Sequence, residues 1–255
     1  MKSPRIALPQ PTSSAAEYNQ RSWPQYAHAI QSCGGIAVPI PLGESQANVA
    51  RLISGCSGIL LPGSPADVNP QKYSQPTEAE TSPSDPDREA VDELLLQDAF
   101  NLRKPILGIC YGLQALNVWR NGTLRQHIQS GLHKQSKVEN AHPIALTPGS
   151  HIASIGGDAH QNGEKTWVNS SHHQSVDIPG DGMQVVALSP EDGVIEALEL
   201  APGSQFVLGV QWHPERTFGT NALSRAIFQS FVDAASDWKL QPIQESVVPV
   251  ASCQK

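Results

Sequence analysis

No stretch of this chain approaches the ~18 consecutive apolar residues of a membrane-spanning helix, so an integral membrane protein of the helical kind is not expected. No block of lysines and arginines stands out either. Seventeen basic residues face 24 acidic ones, a formal net charge of −7 with histidines neutral, and this pattern gives nucleic acid nothing to bind. The opening stretch MKSPRIALPQPTSS lacks an apolar segment of signal-peptide length. Cysteine is scarce. Cys33, Cys56, Cys110 and Cys253 lie far apart with no C-x-x-C pair, which speaks against a zinc site and against a disulfide framework. A reduced cytoplasm is the expected setting. Sequence repeats of solenoid or propeller length are missing too. With 39% hydrophobic and 16% charged residues, the 255 residues suit one large α/β domain or two small ones.

What is present is alternation. Short apolar runs over 5–8, 36–40, 58–61 and 105–109 read as strands. Helical spacing occupies 23–33, 47–53, a segment opening at Asp87 with acidic residues in its first turns, and 112–120. Apolar strands alternating with helices predict a mainly parallel sheet covered on both faces. Between them, residues 64–87 hold five prolines and form a long irregular loop of the kind that often carries function. Farther on, strand-like segments at 142–146, 166–169, 183–188, 194–200 and 205–211 predict a strand-rich, partly antiparallel second half, closed by a helix over 220–235. We take residues 1–237 as a single domain and 238–255 as a poorly structured tail.

One pentapeptide raises a chemical question. GICYG, 108–112, has the form G-x-C-x-G, the cysteine counterpart of a nucleophile elbow. Glycines on either side remove side chains that would collide where a strand turns straight into a helix. The turn would lift the Cys110 sulfur above the sheet edge, and the helix N-terminus would favour its thiolate. The Tyr111 N–H would be placed to donate to an oxyanion. A nucleophile needs an oriented base. In LGVQWHPE, 208–215, His213 follows a buried-looking strand and Glu215 lies two residues on, facing the same way if the chain is extended. His213 could then take a proton from Cys110 while Glu215 fixes its tautomer.

With these residues the sequence resembles the class I glutamine amidotransferase-like superfamily, and within it the free-standing γ-glutamyl-γ-aminobutyrate hydrolase family. ILLPGSPADVNPQKY (59–73), DPDREAVDELLL (85–96), KPILGICYGLQALNVWRNGTLRQHI (104–128), VNSSHHQSV (168–176) and LGVQWHPE (208–215) carry the resemblance. It implies a flavodoxin-like three-layer α/β/α fold and a cysteine-dependent γ-glutamyl hydrolase of polyamine catabolism, working through a γ-glutamyl thioester. Cys110 would be nucleophile, His213 base and then acid, and Glu215 its orienter. The Gly63 N–H would join that of Tyr111 in the oxyanion hole. Ser64, Gln114, His172, His173 and Gln174 would bind the glutamyl half. Neighbouring strand residues point to opposite faces, so His172 and His173 make a poor pair of metal ligands. No metal or other cofactor is expected. The expected partner is a small γ-glutamyl molecule, with neither nucleic acid nor membrane, and a homodimer is left open.

Three positions depart from the family pattern. Asn121-Gly122 stands where Gly-Gly is common, His127 where an acidic residue is common, and Ser64 where a second glycine often follows Gly63. None belongs to the triad. The leaving amine is left open, with Tyr73, Arg88 and the 64–87 loop expected to border it. Two other readings are carried alongside: a glutaminase subunit feeding ammonia to a synthase, and a non-catalytic binding protein on the same fold.

Overall fold

The computed structural model describes residues 3–240 apart from 202 and 204. Cys253 and most of the expected tail lie outside the described residues. The first half follows the expected order: β1 (Arg5–Pro9), α1 (Ala16–Ser32), β2 (Ile36–Ile40), α2 (Gln46–Ile53), β3 (Gly58–Leu61), α3 (Pro86–Leu102), β4 (Ile106–Ile109) and α4 (Tyr111–Trp119). In the second half come β5 (Leu124–Arg125), β6 (His142–Leu146), α5 (His151–Gly156), α6 (Asp158–Gln161), β7 (Thr166–Val168), β8 (Ser175–Val176), β9 (Met183–Leu188), β10 (Ile195–Leu200), β11 (Val207–Val210) and α7 (Ala222–Asp237).

The sheet runs β2-β1-β3-β4-β11-β10-β9-β6-β7. β2, β1, β3, β4 and β11 are mutually parallel, and the strands beyond β11 pair antiparallel. β1, β3, β4 and β11 are buried nearly throughout, which is why they read as unbroken apolar runs. Two buried clusters cover the two faces. One packs α1, α5 and α7 residues, such as Ile30, Ile152 and Phe228, on the sheet. The other packs α2, α3 and α4 residues, such as Ile53, Leu95 and Leu116. The result is the three-layer α/β/α arrangement. The last strand in sequence, β11, slots beside β4 with Val210 opposite Ile109, and Cys110 N–H donates to Val210 O at 2.8 Å. Residues just past β11 therefore lie next to residues just past β4.

Three details differ from the reading of the sequence. α1 begins at Ala16 rather than at 23, because its first turns are polar and never buried, leaving no apolar stripe to read. β5 and β8 are two residues each and pair with one another, Leu124 with Val176 and Arg125 with Ser175, too short for an alternating pattern. Trp238, expected to open a loose tail, is fastened: its indole N–H donates to Leu102 O at 2.9 Å, and its ring lies under the Lys104 ammonium.

Arg88 corrects a fourth expectation. It is fully buried. Its guanidinium donates to Asp92, Pro11 O and Pro62 O, each at 2.8 Å, and stacks 4.8 Å from the centre of the Tyr111 ring. Rather than bordering a leaving amine, it ties the end of β3 and the loop after β1 to α3, beneath the elbow. Its planar fork reaches three acceptors at once, which a point-charge lysine would not match.

Candidate active site

Cys110 has φ 54° and ψ −108°, a conformation that costs a non-glycine residue of order 1–3 kcal/mol and persists only where the surroundings enforce it. They do so through the two glycines. A Cβ at Gly112 would stand 2.1 Å from Leu61 O, and one at Gly108 would stand 2.8 Å from Gly112 O. α4 can thus start one residue after Cys110, pressed against β3. Its first intrahelical bond runs from Gln114 N–H to Cys110 O at 3.2 Å, so the N–H of Tyr111, earlier in the turn, has no intrahelical acceptor.

From β11, His213 and Glu215 arrive together. His213 Nδ1 and Glu215 Oε1 are 2.8 Å apart, both side chains almost wholly buried. The Cys110 side chain is near enough to act on the charge of the ring. Burial works against charge on His213, but Glu215 and Cys110 outweigh it and hold its pKa up to about 9. His213 is therefore favoured as an imidazolium, paired with a carboxylate and close to a sulfur. Asn169 fixes the His213 backbone from both sides: His213 N–H donates to its Oδ1 at 2.9 Å and its Nδ2 donates to His213 O at 2.7 Å. Asn169 escaped the sequence reading, although it stands in the quoted VNSSHHQSV block. A clamp between distant segments leaves no spacing to read.

A pKa raised from 6.5 to about 9 has a defined stability sign. The interaction contributes fully below pH 6.5 and is lost as pH rises through 9. We expect the thermal midpoint of the native chain to fall across that window. Glu215→Gln removes the largest interaction that raises the pKa, so its midpoint should be lower at pH 6.5 and nearly flat above it. Melting curves against pH check this, and parallel curves for the two proteins would show that the His213–Glu215 pair is not the cause.

The other expected residues divide. Gly63 is close: a Cβ there would come 2.9 Å from His213 Cε1 and 3.6 Å from Cys110 Cβ. Its N–H, however, donates to Tyr26 Oη at 3.1 Å, a fully buried hydroxyl on α1 that the sequence did not single out. Burial, with Glu215 nearby, keeps the Tyr26 phenol protonated well above its usual range. Ser64 Oγ accepts from Ala66 N–H at 3.1 Å, shaping the start of the loop. Gln114 Nε2 donates to Gln174 O and to Gln211 Oε1, both at 3.2 Å, joining α4 to the wall formed by 172–174. The Gln174 side chain is buried, and its amide atoms have no hydrogen-bond partner among the described residues.

His172 and His173 turn to different neighbours, although they lie in the irregular chain before β8 and not in a strand as expected. His173 meets Asp67 of the long loop at 3.0 Å. His172 turns into the interior, its Nδ1 2.9 Å from Gln174 O, so its imidazole does not join the Cys110 group and only its backbone belongs to that wall. Tyr73, expected near a leaving amine, is packed into the α2–α3 side of the core. The loop residue that does reach the 172–174 wall is Asp67. Of the departures from the family pattern, Asn121 adopts φ 67°, a left-handed conformation that asparagine tolerates better than most residues.

A cysteine on a glycine-flanked elbow after a central parallel strand, backed by histidine and carboxylate from the adjacent strand, defines a class I glutamine amidotransferase-like protein. The model of the family described as Peptidase C26 matches residues 7–215, and the chain belongs to that family. It is 36% identical over 219 residues to a Mycobacterium tuberculosis protein provisionally named a glutamine amidotransferase, covering 84% of this chain and 67% of that protein. It is 30% identical over 222 residues to the gamma-glutamyl-gamma-aminobutyrate hydrolase PuuD of Escherichia coli, covering 82% and 84%. The crystal structure of a Thermoplasma acidophilum protein, provisionally described as one of the subunits of GMP synthase, superposes with TM-score 0.60 at 14% identity over 92% of this chain and 96% of that one. That likeness concerns the fold. Among the described residues no helix is long and apolar enough to cross a membrane.

Proposed function

We propose that the protein hydrolyses the γ-glutamyl amide bond of a small γ-glutamyl compound, releasing glutamate. The observation that carries this reading is His213 paired with Glu215 at 2.8 Å and brought beside Cys110 at the elbow, where both approach Gly63. The names borne by relatives such as the E. coli hydrolase support the substrate class. In this reading the Cys110 thiolate attacks the amide carbonyl. The oxyanion takes the Tyr111 N–H and the Gly63 N–H, the latter exchanging Tyr26 Oη for it. One such donor is typically worth about 3 kcal/mol of transition-state stabilisation. His213 gives its proton to the departing amine, leaving a γ-glutamyl thioester on Cys110. It then activates the water that frees glutamate and restores the thiolate. Gln114 and the 172–174 wall hold the glutamyl group. Cys33, Cys56 and Cys110 are free thiols, which suits a reducing cytoplasm.

The test is glutamate release by the purified chain alone from γ-glutamyl amines, γ-glutamyl peptides and free glutamine. We expect strong turnover of one γ-glutamyl amine and little of glutamine. Turnover of glutamine alone, or none at all while Cys110 is still readily alkylated, would overturn this reading in favour of a partnered glutaminase.

A further inference from the structure

Behind the 172–174 wall, four side chains from four separate segments converge. His133 comes from a short 3₁₀ turn after β5 (Gly131–His133), His142 opens β6, His172 belongs to the wall, and Glu196 lies on β10. We propose that His133, His142, His172 and Glu196 bind one divalent transition-metal ion, with Zn²⁺ the best match. The ion would fasten this wall of the cleft and take no part in the reaction.

All four side chains are at most 1% exposed. His133 Nδ1, His142 Nε2, His172 Nε2 and both Glu196 oxygens have no hydrogen-bond partner among the described residues. Buried polar atoms are nearly always satisfied, so three ring nitrogens gathered on one such carboxylate need a common partner. The three nitrogens lie 3.3, 3.6 and 3.7 Å from Glu196 Oε1, and the ligand atoms offered by the four residues fall within 4.8 Å of one another. A tetrahedral zinc with bonds of about 2.0–2.1 Å separates its ligands by about 3.3–3.4 Å. The cluster is thus already near the required edge length.

The far side of each imidazole is also arranged. His133 Nε2 pairs with Asp192 Oδ2 at 2.9 Å, His142 Nδ1 with Pro143 O at 3.1 Å, and His172 Nδ1 with Gln174 O at 2.9 Å. A carbonyl can only accept, so the histidines facing Pro143 O and Gln174 O carry their protons on the outer nitrogen and turn a lone pair inward. His133 lies between two carboxylates, Asp192 Oδ2 outside at 2.9 Å and Glu196 Oε1 inside at 3.3 Å, and takes the same orientation when a cation occupies the centre. Metal-bound histidines are oriented in this way. Two inward lone pairs, a third ring nitrogen and a carboxylate gathered out of water suit a cation. A single shared proton would satisfy one nitrogen and leave the others facing lone pairs. Imidazole nitrogens disfavour Ca²⁺ and Mg²⁺, and four protein ligands in a closed pocket describe a structural rather than a catalytic zinc.

The ion would cross-link segments that the backbone joins only loosely. His172 N–H donates to His133 O at 2.8 Å, and Gln211 N–H, two residues before His213, donates to Glu196 O at 2.8 Å. Gln174 O receives both His172 and Gln114. The site stands whether or not the substrate proposed above is correct.

The experiment is elemental analysis of the full chain, purified without a histidine tag or chelator, followed by chelation with dipicolinate and readdition of Zn²⁺ or Co²⁺. About one zinc per chain is expected, with a lower melting midpoint after chelation, recovery on readdition, and tetrahedral visible absorption of the Co²⁺ form. Glu196→Gln and His142→Ala should carry under about a tenth of that metal, while His151→Ala, at an exposed histidine, should keep it. If the native chain holds no metal and the chelated chain takes up neither ion without a change in melting, the cluster is a proton-sharing network and the proposal falls. It falls equally if Glu196→Gln and His142→Ala retain metal. Should a variant not fold, uptake by the native chain still decides.

Discussion

Cys110→Ser is expected to lose on the order of 10⁴–10⁶ in kcat against the preferred γ-glutamyl substrate while remaining folded, since removing one member of a nucleophile–base unit costs about as much as removing the unit. The substitution exchanges one atom at a position that is 7% exposed and leaves the strained backbone unchanged. The circular dichroism spectrum and melting midpoint should therefore stay close to those of the native chain. A serine hydroxyl is far harder to ionise than a thiol, and an imidazolium held at about pKa 9 is a poor base for removing its proton at neutral pH. Undiminished turnover by the serine variant would remove Cys110 as the nucleophile.

Gly112→Ala is the largest expected effect on stability. Alanine is the better helix former by about 1 kcal/mol, and Gly112 lies in the first turn of α4, so propensity alone favours the substitution. Sterics oppose it more strongly. The new Cβ would sit 2.1 Å from Leu61 O and 2.7 Å from Leu61 Cβ. The first of these is backbone of a buried central strand and cannot swing aside. α4 and β3 would have to separate, opening the packing beside the elbow, at a cost of about 3 kcal/mol or somewhat more. Urea denaturation should show the loss. Gly219→Ala, where nothing lies within 4 Å of the added atom, is the matched control and should be near neutral. Equal stability of the two variants would show that the G-x-C-x-G spacing is not enforced by the packing described.

The elements legible in the sequence share one property: their pattern arises from contacts within a single segment. β1, β3 and β4 are buried on both faces and so read as short apolar runs. G-x-C-x-G and H-x-E are legible because the elbow and the His213–Glu215 pair are built from residues at most four apart. α3 was legible from its acidic first turns, although it opens at Pro86 behind an Asp85 cap that accepts from the Arg88 N–H at 3.1 Å and not at Asp87. The long loop was identified by its prolines, but its contact with the wall, through Asp67, was not.

What was misread depends on approach between distant segments. Arg88 was expected to border the leaving amine, and only the positions of Pro11 and Pro62 make it a buried clamp. Tyr26 and Asn169 carry no signal of their own. They matter because α1 brings a hydroxyl to Gly63 and because the 168–176 segment crosses behind His213. The four cysteines argued against a metal on spacing alone. Yet His133, His142, His172 and Glu196 have no regular spacing, and they meet because β6 and β10 flank β9 while the chain after β5 returns over them. Consecutive residues were thus enough for the mainly parallel α/β architecture, the elbow and the residues placed at it, since local sterics and burial period are written along the chain. The folded arrangement decided which N–H groups are free at the elbow, which histidine faces which side, and what gathers behind the wall. Those depend on strand order and crossing geometry, which leave no periodicity in the chain.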